Sequence, residues 1–274
     1  MELVRPDSVA DAVSSLEGGA VALGGGTELI PLLRDRIIAA DTLVELRSAV
    51  PKGVDGTRIG AGTTLAELEL DPQIPEALRE SCRLSASPQL RAVATIGGNL
   101  LQATRCWYWR LKFPCRLHGG DRCHAREGQH REHAIFANDF CASAHPSDPA
   151  AALLALGATV RTDRRELPIA ALYRLPTEDD RSTTTLAKDE LIVDLDVPRP
   201  DASVYLKAMD RQRWSFALVG VAAARFGDEV RFGLAGVAPI PLARLDGATP
   251  LSGTAYKVQI LDALVKRARQ AIAA

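Results

Sequence analysis

The sequence predicts an α+β protein with a two-part N-terminal domain and a small C-terminal domain built on an antiparallel sheet. Apolar segments with the spacing of strands and of helices alternate along the chain, and a polar segment over 176–190 separates two groups of them. The 274 residues suit one large domain or two smaller ones, at roughly 100–200 residues per domain. We therefore expect an N-terminal domain over 1–175, divided into about 1–50 and 51–175, and a C-terminal domain over 190–274.

The first part begins with a short amphipathic helix and continues as a strand–turn–helix–strand unit. Asp7 or Ser8 can cap the helix, and Gly18 and Gly19 end it. The apolar run that follows is short enough for a buried strand, and it leads directly into a glycine-rich turn. The predicted elements are a helix over 7–19, a strand over 20–23, a helix over 29–37 and a strand over 42–46.

Further periodic segments fill the rest of the chain. Thr64 and Glu67 form a capping-box pattern that predicts the start of a short helix. Residues 176–190 carry no apolar period, which is typical of a linker or an exposed loop. The remaining predicted elements are helices over 75–84, 149–156 and 255–272, and strands over 158–162, 191–197, 216–225 and 229–237.

The charge balance excludes one broad class of function. Lys and Arg number 33 and Asp and Glu number 34, which gives a net charge of −1, so the chain is not a general nucleic-acid binder. No apolar run reaches the roughly 18 residues that a membrane span needs. The N-terminus has no basic region followed by an apolar stretch, so we expect a cytoplasmic location, with export alongside a signal-bearing partner left open.

Two glycine-rich loops favour a ligand that contains phosphate. Residues 24–27 read Gly-Gly-Gly-Thr between a predicted strand and a predicted helix, and residues 94–99 read Ala-Thr-Ile-Gly-Gly-Asn. Glycines let the backbone turn sharply and expose N–H groups to a phosphate. Each loop alone is equally well explained as a tight turn, since neither is a P-loop or a G-x-G-x-x-G fingerprint. Two such loops in one chain favour nucleotide binding.

A segment rich in cysteine and histidine follows the second loop. Four of the five cysteines and all five histidines lie between 106 and 145, and 8, 7 and 17 residues separate the cysteines. This spacing matches neither a zinc ribbon nor a bacterial ferredoxin. An iron–sulfur cluster is favoured, with zinc and unligated thiols as alternatives, and the basic excess over 105–131 suits a negatively charged cluster or an acidic partner. Cys82 lies in a predicted helix, where we expect an inert buried thiol.

At these residues the sequence resembles the FAD-binding medium subunit of the molybdenum hydroxylases, the xanthine dehydrogenase family. The family's first flavin motif, A-G-G-T-[DE]-L, corresponds to residues 24–29, with Gly24 in place of Ala. Its second motif, R-N-x-A-T-x-G-G-N, corresponds to residues 91–99, with Ala92 in place of Asn. The resemblance spans nearly the whole chain. It implies a two-part FAD-binding domain of the PCMH type and an oxidoreductase subunit whose substrate chemistry takes place on a partner chain.

The cysteine segment resembles an insertion found in two branches of that family. One is the FAD subunit of bacterial aldehyde oxidoreductases, whose pattern from Gln102 to Asp148 matches better, and the other is the 4-hydroxybenzoyl-CoA reductase β subunit. In both branches the insertion, here about 103–145, binds a 4Fe–4S cluster. The cluster ligands that the resemblance implies are Cys106, Cys115, Cys123 and Cys141.

The resemblance also implies which residues contact FAD, and it assigns no catalytic residue to this chain. Ser147 and Asp148 would hydrogen-bond the flavin or its tail. Leu191 and Ile192 would pack near the flavin ring, and Lys207 would approach the polar edge of that ring. The contacts expected from the two glycine loops, to the diphosphate and the ribityl chain, are Leu23, Gly24, Gly25, Gly26, Thr27, Glu28, Leu29, Ala94, Thr95, Gly97, Gly98 and Asn99.

By the same resemblance, the chain would work in a heterotrimer, single or dimerised, with a small 2Fe–2S subunit and a large molybdenum-cofactor subunit. Electrons would pass between the partner's 2Fe–2S clusters, FAD and an external acceptor such as ferredoxin, with aldehyde oxidation as the expected reaction. A subunit of the 4-hydroxybenzoyl-CoA reductase or xanthine dehydrogenase type is the alternative within this class. A free-standing FAD oxidase and a zinc-stabilised interaction protein are the alternatives outside it.

Overall fold

A computed structural model describes residues 1–212 and 214–273, and its first part is a three-stranded parallel sheet with two short helices. The elements are β1 (Glu2–Val4), α1 (Val9–Ser14), β2 (Val21–Leu23), α2 (Leu29–Arg34) and β3 (Thr42–Glu45). The central strand β3 pairs in parallel with β1 and with β2, so the predicted strand–turn–helix–strand unit is confirmed. Of the two predicted caps, Ser8 caps α1 by accepting a hydrogen bond from the amide of Asp11.

The second part is built on a five-stranded sheet and a group of short helices. In chain order its elements are β4 (Val54–Asp55), β5 (Arg58–Gly60), α3 (Leu65–Leu70), α4 (Glu76–Arg83), α5 (Pro88–Arg91), α6 (Ile96–Leu100), α7 (Trp107–Arg110), α8 (His124–Glu127), α9 (Asp148–Leu156), β6 (Thr159–Thr162), β7 (Glu166–Pro168) and β8 (Ile192–Asp196). The sheet order is β4–β5–β8–β6–β7, and all neighbouring strands are antiparallel. The last strand in sequence therefore lies at the centre of the sheet.

Local signals in the sequence fix where two of these helices begin. The capping box predicted for α3 is present, because the amide of Glu67 donates to the Thr64 hydroxyl at 3.2 Å and the amide of Thr64 donates to the Glu67 carboxylate at 2.7 Å. Ser147 caps α9 by accepting a hydrogen bond from the amide of Ala150 at 3.0 Å. These caps satisfy amides that have no partner inside the helix.

The C-terminal part is a three-stranded antiparallel sheet covered on both faces. Its elements are β9 (Ala202–Ala208), β10 (Val219–Phe226), β11 (Glu229–Ala235) and α10 (Tyr256–Ala273), with the sheet order β11–β10–β9. Val219 and Val221 of β10 pack in a cluster with α10, whereas Ala222 and Ala224 belong to the cluster that contains α4 and α9. The C-terminal sheet thus shares its core with the second part, and the predicted mixture of helices and strands is observed.

Strand β8 departs from the predicted organisation. The alternation over 191–197 predicts the first strand of the C-terminal domain, but the strand pairs with β5 and β6 of the second part. Leu195 lies beside Ile59 on one side and Val160 on the other, and all three side chains are buried. Alternation specifies which face of a strand is buried and leaves open which neighbours it pairs with.

In the described part of the chain, no helix combines the length and the apolar character that a bilayer crossing requires.

Candidate functional site

A cavity of about 1400 Å³ beside the parallel sheet is the candidate binding site. Three segments form its main walls: the first glycine loop at 24–29, the second glycine loop at 94–99 and the segment 182–192. Drug-sized ligands occupy cavities of roughly 300–1,000 Å³. The cavity therefore has room for a longer ligand, such as a dinucleotide.

The first glycine loop presents backbone donors to this cavity. It connects β2 to α2, and the amides of Gly24, Gly25, Gly26 and Thr27 donate no hydrogen bond to protein atoms of the described residues. Gly26 has φ of 73°, in the left-handed region that favours glycine. Because unpaired amides before a helix attract anions, this loop is suited to a diphosphate.

The second glycine loop is closed by hydrogen bonds within the protein. The amide of Gly97 donates to the carbonyl oxygen of Ala61 at 3.0 Å, and the amide of Gly98 donates to the hydroxyl of Thr95 at 3.2 Å. This loop therefore presents side chains on a fixed backbone to the cavity, whereas the first loop presents backbone amide groups to it.

The two glycine loops touch each other directly. A Cβ atom at Gly25 would overlap the carbonyl oxygen of Val93, so only glycine permits this approach of the two backbones. A Cβ atom at Gly24 would meet only the Thr95 side chain. The contact at Gly25 fixes the separation of the loops and hence the width of the cavity at that end.

The segment 182–192 forms the third wall, although its polarity predicts a linker or an exposed loop. Glu190 anchors it, because this buried carboxylate accepts two hydrogen bonds from Arg165 at 2.8 and 3.1 Å. Leu191 and Ile192 follow and line the cavity. A segment that covers a polar ligand has the same composition as one that faces water, so the sequence does not distinguish them.

Most residues that the resemblance assigns to FAD line this one cavity. Leu23, Ser147, Asp148 and Lys207 lie outside its lining. The assigned residues that line it are Gly24, Gly25, Gly26, Thr27, Glu28, Leu29, Ala94, Thr95, Gly97, Gly98, Asn99, Leu191 and Ile192.

Ser147 and Asp148 contact protein groups next to the site. Besides capping α9, Ser147 donates a hydrogen bond of 2.6 Å to the side-chain oxygen of Asn99, which lines the cavity. Asp148 forms a buried ion pair with Lys207 at 2.6 Å and accepts a hydrogen bond of 2.5 Å from Tyr205. Burial, together with the charge of Asp148, raises the pKa of Tyr205 well above its ordinary value. These contacts join α9 to β9.

The carboxylate of Glu28 is engaged by the cysteine segment. Its Oε1 accepts hydrogen bonds from the amide of Ala103 at 3.2 Å and from Nη2 of Arg110 at 2.6 Å. Nη2 of Arg105 lies 2.6 Å from its Oε2. Glu28 is thus a direct connection between the first glycine loop and the segment that carries the cysteines.

Three of the four clustered cysteines stand immediately before a helical turn. Cys106 precedes α7, Cys115 precedes the 3₁₀ turn Arg116–His118, and Cys123 precedes α8. All of these thiols are free, as are Cys141 and the isolated Cys82.

The clustered thiols influence one another electrostatically. The pKa of Cys106 is raised to about 11, chiefly by burial and to a smaller extent by the charges of Cys123 and Cys115, while backbone hydrogen bonds from Trp109 and Tyr108 oppose the shift. Burial likewise raises the pKa of Cys141 to about 12, with Cys123 and Cys106 acting in the same direction. The four sulfur atoms therefore lie in one neighbourhood, where a bound metal would favour the thiolate form.

The cysteine side chains do not form a complete metal site in the described residues. Within residues 1–212 and 214–273, no three Cys, His, Asp or Glu side chains converge closely enough to hold a metal ion. The four-cysteine site that the resemblance implies is therefore not shown. The donor set itself, four free thiols in one neighbourhood, has the chemistry that an iron–sulfur cluster needs.

Three buried polar atoms without partners belong to residues that are next to these cysteines in sequence or contact one of them. Arg105 Nε, His124 Nε2 and His133 Nδ1 are buried and make no hydrogen bond to the described residues. The other ring nitrogen of His133 lies 3.2 Å from the Cys106 sulfur, and burial lowers the pKa of His133 to about 4, so the ring is neutral at pH 7. The Nε–H of Arg105 is suited to donate a hydrogen bond to a negatively charged group, and each neutral imidazole can donate one from the ring nitrogen that carries its hydrogen.

The size of the cavity and the unpaired amides of its first glycine loop suit a protein that binds a dinucleotide. Residues 1–200 match the family described as the FAD binding domain in molybdopterin dehydrogenase. The chain belongs to this family, so the predicted FAD binding and the predicted class, an oxidoreductase subunit, are confirmed.

The relatives of the chain include subunits of molybdenum enzymes. The aldehyde oxidoreductase FAD-binding subunit PaoB of Escherichia coli is 32% identical over 289 residues, covering 98% of this chain and 86% of the relative. The carbon monoxide dehydrogenase medium chain of Afipia carboxidovorans is 40% identical over 107 residues, covering 35% of this chain and 37% of the relative. Reconstituted CO dehydrogenase from Oligotropha carboxidovorans has the same fold, with a TM-score of 0.70 over 99% of this chain and 97% of that chain at 23% identity.

Proposed function

We propose that this chain is the FAD- and 4Fe–4S-binding electron-transfer subunit of a molybdenum-containing aldehyde oxidoreductase. In this proposal it passes electrons between the 2Fe–2S clusters of a small partner subunit and an external one-electron acceptor such as ferredoxin. Aldehyde is oxidised on a large partner subunit that holds the molybdenum cofactor. The chain itself contributes binding and positioning rather than catalytic residues.

The observation that carries this proposal is the extent of the similarity to an aldehyde oxidoreductase subunit. The similarity to that subunit covers 98% of the chain and so includes most or all of the cysteine segment at 103–145. The similarity to the carbon monoxide dehydrogenase medium chain covers only 35%. A relative that matches the whole chain supports a shared function more strongly than one that matches a third of it.

In this proposal the three walls of the cavity have separate tasks. The amides of 24–27 hold the diphosphate, and the contact of Gly25 with Val93 keeps the two glycine loops at a fixed distance. Leu191 and Ile192 offer apolar surface to the flavin ring and exclude water from it. FAD, when bound, accepts electrons singly and can release them in pairs. The protein's part is to keep the ring in one place between its electron donor and acceptor.

The cysteine segment is the proposed site of the 4Fe–4S cluster. Its four thiols are free, and burial raises the pKa values of Cys106 and Cys141, a situation that metal ligation relieves. The buried nitrogen atoms of Arg105, His124 and His133 are available to donate hydrogen bonds to the cluster. The ligands in this proposal are Cys106, Cys115, Cys123 and Cys141.

An anaerobic preparation of the full chain tests the two cofactors together. We expect a flavin spectrum superimposed on broad iron–sulfur absorption, with about four irons and one FAD per chain. Flavin without iron would remove the cluster from the proposal. Zinc without iron would favour a zinc-stabilised loop.

The substrate class is tested on the complex with its partner subunits. Aldehydes should bleach the flavin absorption of the complex, and acyl-CoA thioesters and purines should not. The isolated chain should show no bleaching with any of them, because the substrate site lies on another chain. Bleaching of the isolated chain by aldehyde would instead favour a free-standing flavin oxidase.

A further inference from the structure

Glu28 lies where the cavity and the cysteine segment meet, beside Ala103 and Arg105 of that segment, which also line the cavity. It directly follows residues 24–27 of the first glycine loop, so its backbone is continuous with the amides that face the cavity. Its carboxylate contacts Arg105 and Arg110, which lie on either side of Cys106 in the sequence. One side chain therefore connects the diphosphate loop to both flanks of the first clustered cysteine.

The ion pairs of Glu28 with Arg105 and Arg110 are partly shielded from solvent, which strengthens them. The Glu28 side chain is 16% exposed, that of Arg110 is 18% exposed and that of Arg105 is 30% exposed. Loss of the carboxylate would leave two partly buried guanidinium groups without their counter-charge, which is far less favourable than loss of an exposed pair.

A second contact ties the cysteine segment to the opposite wall of the cavity. Arg181, which precedes the wall at 182–192, donates to the carbonyl oxygen of Gly120 at 3.0 Å and also to that of Arg116. Gly120 lies between Cys115 and Cys123 in sequence. The segment is therefore joined to two of the three walls, and a change in its conformation reaches both.

We propose that Glu28 is a positioning residue that couples FAD binding to metal loading of the cysteine segment. The inference rests on the proposed 4Fe–4S cluster. A segment folded around its cluster holds Arg105 and Arg110 in place, and these two cations hold Glu28 and hence the glycine loop in the geometry that accepts FAD. The coupling is reciprocal, so bound FAD equally favours the loaded form of the segment.

The test compares FAD affinity in two states of the full chain, loaded with iron anaerobically and stripped of iron by a chelator. Flavin fluorescence reports the dissociation constant in each state. In the wild-type chain, removal of iron should weaken FAD binding about tenfold. In Glu28→Gln, FAD should bind more weakly than in the wild type, and the affinities with and without iron should be the same.

Glu45→Gln is the matched control. Glu45 is also an ion-pairing carboxylate of the parallel sheet, 17% exposed and in contact with Arg5 and Arg47, but it does not line the cavity or touch the cysteine segment. In this variant, removal of iron should weaken FAD binding about tenfold, as in the wild type. Arg110→Gln changes one of the two arginine partners of Glu28 and leaves the glycine loop intact. This variant is tested in place of Glu28→Gln if Glu28→Gln does not fold.

The possible outcomes distinguish failure of the proposed coupling from failure of the proposed cluster. If the wild-type chain binds iron and FAD but its two affinities are equal, the coupling is wrong and the proposed function stands. A wild-type ratio that persists in both Glu28→Gln and Arg110→Gln overturns the role of Glu28. A chain that binds FAD and takes up no iron overturns the cluster, and the coupling with it.

Discussion

The ammonium nitrogen of Lys207 lies 2.6 Å from a carboxylate oxygen of Asp148, in an ion pair almost fully shielded from solvent. Lys207 belongs to β9, and Asp148 is the first residue of α9. Tyr205 and Ser85 donate further hydrogen bonds to the same carboxylate. The pair therefore fastens the C-terminal sheet to the flavin-binding part of the chain.

Replacement of Lys207 should destabilise the whole protein. Lys207→Met removes the cation and leaves the buried carboxylate of Asp148 without its counter-charge, a change that typically costs about 3–5 kcal/mol. Chemical denaturation of the full chain measures this loss. Arg5→Met, which removes the exposed partner of Glu45, should change the stability little. Normal stability with weakened FAD binding in Lys207→Met would show instead that the lysine acts on the cofactor.

The clustered cysteines and the isolated one should behave differently. Cys115→Ser removes a proposed ligand and should lower the iron content and change the EPR signal of the reduced protein. Cys82→Ala should retain both, because Cys82 is fully buried in another part of the fold and burial raises its pKa far above the ordinary value. Full iron in Cys115→Ser would contradict the ligand set.

Gly25 should be the least replaceable residue of the first glycine loop. In Gly25→Ala the new Cβ overlaps the carbonyl oxygen of Val93, so the two loops must separate and the cavity must widen. We expect FAD affinity to fall by at least about tenfold, equivalent to 1.4 kcal/mol. Gly98→Ala should lose much less, because its Cβ would lie 3.0 Å from the Thr95 hydroxyl oxygen and would meet no backbone atom, so a small shift relieves the contact. Equal losses in the two variants would contradict this account.

Lys257 should give the stability of the protein a specific pH dependence. This fully buried lysine of α10 donates to the carbonyl oxygens of Glu132 at 2.8 Å, His133 at 2.9 Å and Gly236 at 3.0 Å. Burial lowers its pKa from 10.5 to about 7, and the charge of Glu132 opposes this shift. The folded chain then releases a proton at lower pH than the unfolded chain, so stability rises with pH above about 7.

The measurement for Lys257 is the free energy of unfolding between pH 6 and pH 9. The difference between the wild type and Lys257→Met should be constant below about pH 7 and then increase by up to about 1.4 kcal/mol per pH unit. Comparison with the variant removes the contribution of all other titrating groups. A constant difference across the whole range would show that Lys257 stays charged in the folded protein.

Much of the secondary structure could be predicted because its signals are local. The capping box at Thr64 and Glu67 and the Ser8 cap depend on side chains three residues from the amides they bind. The alternation at 191–197 predicts a strand correctly. Its place between β5 and β6 depends on apolar neighbours more than 30 residues away, such as Val160, and no local pattern specifies these.

The candidate site was predictable where backbone geometry demands a particular residue. Glycine is required at Gly25 by the approach of a second backbone, so the motif is visible in the sequence. The wall at 182–192 is made of ordinary polar residues, and its role follows only from the tertiary fold. The same is true of Lys207 and Asp148, which are 59 residues apart and whose pairing no spacing rule could reveal.

The central position of β8 has a consequence for how the chain matures on the ribosome. Strands β5 and β6 do not pair with each other, so their sheet stays open until residue 196 has emerged. Until then Ile59 and Val160 lack their shared neighbour Leu195, and such late, non-local pairing is slow and leaves nascent chains prone to aggregate. Since the wall at 182–192 leads into β8, a nascent chain completes the candidate cavity only after about two thirds of the polypeptide has been translated.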